Sequence, residues 1–158
     1  MLLTALVLAA GPAVPAGAAG EVGLVVSGLI VSGKVAGGRQ RLSMEDLGAA
    51  GMDEVVARVP WARGTAHFAG LPLRRLLDMV GASGSSIEAR DGRGNRMHLS
   101  IEEALARNAL IAIRHEGLPI AAGGSGPCWL IYPEPEGAGR RPGLGPAPLP
   151  RLVELRIH

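Results

Sequence analysis

The sequence predicts one mixed domain in which strands and loops outweigh short helices. Three observations carry that expectation: abundant turn-forming residues, with 24 Gly and 12 Pro among 158 residues; two separate Ser-led helix starts; and two continuous apolar runs of strand length. The chain length suits a single core, and 47% hydrophobic against 19% charged residues argues for a folded domain rather than a disordered one. A net charge of +2, with basic residues spread along the chain, excludes a concentrated nucleic-acid footprint. All the basic residues but Lys34 are Arg, which would suit oxyanion binding, although codon composition is the simpler cause of the bias.

The apolar run Leu2–Ala10 is too short to span a membrane, and the small residues after it end in Ala16-Gly17-Ala18. This reads as a secretory signal over 1–18, leaving a mature domain over 19–158 with no membrane span, in the periplasm or outside the cell. No Lys or Arg precedes the run. With Cys128 as the single cysteine, no intrachain disulfide forms, and the thiol is expected to be sheltered.

Along the mature chain, Leu24 to Val35 reads as two short strands or one bulged strand, broken by Ser27-Gly28 and Ser32-Gly33. Ser43-Met44-Glu45-Asp46 has capping-box spacing and starts a short helix that ends near Gly51. Val55–Val59 is a strand, and Pro60-Trp61-Ala62-Arg63-Gly64 an aperiodic loop. Pro72 opens a helix with Leu73, Leu76, Leu77 and Val80 on one face and Gly81 as its stop. Ser86–Arg90 and Arg96–Leu99 flank Asp91-Gly92-Arg93-Gly94-Asn95, a hairpin connection. Ser100-Ile101-Glu102-Glu103 starts another short helix. Leu110–Arg114, apolar up to its final Arg, and Cys128–Tyr132 read as continuous apolar strands, as in a sheet covered on both faces. The Pro- and Gly-dense stretch from Pro133 to Pro150 reads as a mobile surface loop, and Leu152, Val153, Leu155 and Ile157 as a last strand.

Phe68-Ala69-Gly70-Leu71-Pro72-Leu73-Arg74-Arg75-Leu76-Leu77, followed by Val80-Gly81-Ala82, resembles the oxidoreductase molybdopterin-binding domain of sulfite-oxidase-type enzymes. So do Leu29–Val35, Leu42–Leu47, Pro60-Trp61 and Gly126–Pro133, in the same order along the chain. The resemblance implies an α+β, sulfite-oxidase-type molybdopterin-binding fold of mainly mixed β-sheets with short helices, holding a pterin between loops at one end. It also implies a molybdenum-ligating cysteine after the strand at Val55–Val59, where this chain has Pro60-Trp61. A thiolate is the soft ligand that molybdenum chemistry uses, and Cys128 instead lies within an apolar strand. A Sec-type signal further implies an unfolded passenger without preloaded cofactor.

Candidate cofactor-binding residues follow from position. Trp61 offers a face for a flat ring or a lid on the core. Arg63 and His67 in the same segment suit an anion or simple solvent exposure. Asp91, Arg93 and Asn95 fill the Gly-rich turn, which they also stabilise. Arg114 and His115 end a core strand, where they face a cleft or merely give the strand a polar end. Gly123-Gly124-Ser125-Gly126-Pro127 has Pro where a nucleophile elbow needs Gly, and no two His are spaced i, i+4, so no hydrolase or metal motif stands out. Two functions follow. The first is an exported binding or accessory module without redox chemistry, its ligand a pterin or small anion and its partner another exported protein. The second is a molybdenum-cofactor-dependent oxidoreductase acting on a small oxyanion or oxide.

Overall fold

The computed structural model describes residues 23–32, 35, 36, 38–121, 126–133 and 147–158. The signal read over 1–18, the glycine run at 123–125 and most of the predicted loop, 134–146, lie outside the described residues.

A long strand near the C-terminus, β12 (Leu149–Ile157), organises the sheet. Its second half pairs in parallel with β1 (Leu24–Gly28) and antiparallel with β7 (Ser86–Asp91). β4 (Arg39–Leu42) extends β1, and β8 (Arg96–Ser100) extends β7. The first half of β12 pairs instead with β11 (Cys128–Ile131). From there the sheet continues through β9 (Leu110–His115) and β6 (Thr65–Pro72) to β5 (Asp53–Arg58). Short pairs at β2 (Val31–Ser32) with β3 (Val35–Ala36), and at β10 (Leu118–Pro119) against β9, complete the strands among the described residues.

The three helices among the described residues are short, and each starts at the predicted place. In α1 (Met44–Ala49) the Ser43 hydroxyl accepts from the Asp46 N–H, and the Asp46 carboxylate accepts from the Ser43 N–H. These two bonds satisfy donors that a helix start leaves open. α2 (Leu73–Met79) follows β6 without a linker; after it the Ala82 N–H reaches the Leu77 carbonyl and Gly81 takes φ +61°, which makes Gly81 the expected stop. α3 (Ile101–Ala106) starts with the Ser100 hydroxyl accepting from the Glu103 N–H.

The sheet has a buried cluster on each face, as the two continuous apolar strands predict. Ile111, Ile113, Cys128 and Leu130 face the larger cluster with Leu47, Leu73 and Leu76 of the helices. Leu110, Ala112, Trp129 and Ile131 face a smaller cluster with Ala57, Ala66 and Phe68. Two expectations need correction. Thr65–Pro72 is a strand in the middle of the β5–β9 half, so His67 is a strand residue and not part of the loop before it. Leu149 and Pro150, assigned to the mobile loop, already belong to β12, where Leu149 pairs with Leu130. Together these strands place the end of β9 beside the β5–β6 loop.

Candidate aromatic site at the end of β9

A bulge sets the geometry at the end of β9. Phe68 lies opposite His115 and Ala69 opposite Arg114, but Gly70 lies opposite Ala112, so Ile113 has no partner across the ladder. Regular alternation would send His115 to the side of Ile111 and Ile113. The extra residue turns it to the other face, the effect by which bulges re-aim side chains. Gly70 permits the close pairing: a Cβ there would fall on the Ile111 carbonyl oxygen and 2.6 Å from the Ala112 Cα.

The turned His115 ring stacks on Phe68, with centroids 5.0 Å apart and planes 20° from parallel. Trp129 lies 5.5 Å from His115 and 5.9 Å from Phe68, and Trp61 meets Trp129 edge-on at 5.4 Å and 86°. Such pairs each contribute roughly 0.5–1.5 kcal/mol beyond burial. Trp129 is buried, His115 half-buried, and Trp61 is 38% exposed. Trp61 thus covers Trp129, as a lid on the core would, and is not itself buried. The chain has two Trp, one Tyr and one Phe, and three of those four residues meet here. Phe68 and Trp129 were absent from the candidate site residues, and the scarcity of aromatics is the sequence signal that points to them.

The other candidates divide between two further places. His67 and Arg114 lie on the opposite face of the sheet from Phe68, because Ala69, the cross-strand partner of Arg114, alternates with Phe68. The His67 backbone is tied to Glu116: its N–H donates to Glu116 Oε1 at 2.7 Å, and its carbonyl accepts from the Glu116 N–H at 2.8 Å. Arg63 is exposed in the β5–β6 turn. Asp91, Arg93 and Asn95 sit in the β7–β8 turn, where Asp91 Oδ1 accepts from the Arg93 and Asn95 N–H groups at 2.8 Å each and Oδ2 from Asn95 Nδ2 at 2.7 Å. Burial alone would raise the Asp91 carboxyl, but the donors from Asn95, Arg93 and Gly94 outweigh it and hold the group below its ordinary value. Asp91 and Asn95 are thus occupied in holding the turn.

Cys128 is fully buried, its thiol donates to the Leu152 carbonyl at 3.4 Å, and burial pushes its pKa far up. It is a neutral, sheltered thiol, as the sequence predicts. Among the described residues no three His, Cys, Asp or Glu side chains are grouped to hold a metal ion. A separate groove of about 540 Å³ opens at the other end of β9, lined by Asp53, Arg74, Arg75, Asp78, Asn108 and Leu110 among others, and contains none of the eight candidate residues.

No protein-family model matches the chain, and no curated protein does. Among solved structures, the fold is similar to that of the sulfane dehydrogenase SoxCD from Paracoccus pantotrophus, with a TM-score of 0.60 and 17% identity. The match covers 86% of this chain and 38% of that one. This likeness shows the fold: α+β and sulfite-oxidase-type, a mixed sheet with short helices.

Proposed function

We propose that this chain is an exported, non-redox binding or accessory module, a molybdopterin-binding fold whose aromatic end takes a pterin or a similar flat, anionic ring. The observation that carries the reading is the convergence of Trp61, Trp129, Phe68 and His115 around the bulge at Ile113, with Trp61 left partly open. The exposed Trp61 ring supplies a stacking face, and Arg63, two residues on in the same turn, supplies charge for an anionic substituent. The solved neighbour is named a dehydrogenase, which supports a redox ancestry for the fold, while fold alone does not transfer activity.

The donor set of this chain does not fit a protein-ligated molybdenum centre. Pro60-Trp61 stands where the resemblance puts the ligating cysteine, and Cys128 would have to leave a fully buried position and lose a proton that burial holds tightly. No catalytic step is therefore assigned. Titration of the purified protein with a soluble pterin, followed by tryptophan fluorescence, tests the reading. Saturable quenching that Trp61→Ala abolishes is the expected result; no saturable change, or one unaffected by Trp61→Ala, refutes it.

A further inference from the structure

The sheet ends on four outer strands among the described residues, and they differ in how they discourage pairing: β10 has only two residues, and its Pro119 has no N–H to offer. β4 carries exposed Arg39 and Arg41, and β8 carries exposed Arg96 and His98. Two copies of either edge would bring like charges together, a common protection of open strands. β5 has no such protection. Its exposed face reads Glu54, Val56, Arg58, one acid, one apolar residue and one base in alternate positions. Its partner on the inner side is β6, and no described strand covers its outer side.

That order is complementary to itself. A two-fold axis normal to the sheet keeps the faces of the two copies aligned and pairs the strands antiparallel. Centred on Val56, it sets Val56 against Val56 of the second copy, and each Glu54 against the other copy's Arg58. Centring on Val55 or Ala57 would leave Glu54 or Arg58 opposite valine, so the charges select one register. Val56 is 43% exposed, and Met52, just before the strand, is 40% exposed.

We propose that β5 is a homodimer edge, through which two copies of this chain join their sheets by antiparallel β5–β5 pairing centred on Val56. An edge of six residues makes a small interface, so the dimer forms at high protein concentration and dissociates on dilution. The proposal is independent of the ligand reading, since Glu54, Val56 and Arg58 are outside the aromatic group.

Sedimentation equilibrium of the full chain over a wide concentration range tests it, with circular dichroism to show that every variant is folded. The expected result for the unaltered protein is a mass rising from one chain to two. Glu54→Arg and Arg58→Glu each place like charges opposite one another twice per dimer, and each weakens association about tenfold or more. The double variant restores opposite charges in exchanged positions and returns association to within about threefold of the original. Val56→Lys, which puts two ammonium groups at the axis, abolishes it. A monomer at every concentration, single reversals without effect, or a double variant as weak as the singles would each overturn the proposal.

Discussion

Replacing Asp91 by Ala removes the acceptor for three hydrogen bonds of 2.7–2.8 Å that hold the β7–β8 turn. Bonds to a charged acceptor contribute about 1.5–3 kcal/mol each, but the residues that donate here, Arg93 and Asn95, are exposed and recover water when the carboxylate is lost. A total of roughly 3 kcal/mol follows, a large share of the 5–15 kcal/mol typical of a domain. At about 2–4 °C per kcal/mol for a chain of this size, Tm falls by about 6–12 °C. Asn95→Ala removes the single side-chain bond and costs about 1–2 kcal/mol, whereas Arg93→Ala, whose bond is made by the backbone, changes stability by under about 0.5 kcal/mol. Thermal unfolding of the three variants gives the order directly. The pH dependence adds a second signature. Because the folded pKa of Asp91 lies below its unfolded value, its stabilisation is complete above about pH 4 and is lost as pH falls through the folded value. The gap between the unaltered protein and Asp91→Ala therefore narrows in acid. A Tm loss under about 2 °C at pH 7, or a gap that widens in acid, would refute the assignment of Asp91 to holding the turn.

Three further outcomes follow from the same geometry. Gly70→Ala drives a methyl group into the β9 backbone and destabilises by about 3 kcal/mol or more, while Gly117→Ala, at φ +77° with open space around it, costs only about 1 kcal/mol; urea unfolding distinguishes them. Cys128 resists alkylation at pH 8 in the folded protein and reacts once denaturant exposes it, so rapid native labelling would contradict its burial. Burial, reinforced by the Glu103 charge, raises the chain's one tyrosine, Tyr132, to a pKa of about 12; its phenolate absorbance should rise there, and a midpoint near 10 would place the ring in water.

Local physics was the readable part of the sequence. Ser43, Ser100 and Gly81 announce helix ends because a hydroxyl cap or a left-handed glycine acts over three or four residues, and the apolar runs at Leu110 and Cys128 name the central strands. The strand Thr65–Pro72 was hidden because its Ala and Gly residues lack strand propensity; its place is set by β5 and β9 on either side, with small residues allowing close approach. The bulge at Ile113 was hidden for a related reason. It arises from register between β6 and β9, and no residue in Leu110–His115 marks it. Sequence neighbours consequently part company, Arg114 to one face and His115 to the other. Trp61 and His115 stand far apart in the sequence, and only the folded sheet shows that Phe68 and Trp129 join them. For Asp91 and Asn95 the turn chemistry was legible and is what the structure displays.

The proposed function requires the aromatic end to bind its ring without a protein-held metal. Its most direct test is elemental analysis of the protein purified from its native host, with released pterin measured on the same sample. The expected result is molybdenum far below one atom per chain, in protein that is folded and still binds added pterin. Molybdenum and pterin both near one per chain, retained through dialysis, would contradict it and establish an enzyme with an unusual metal shell.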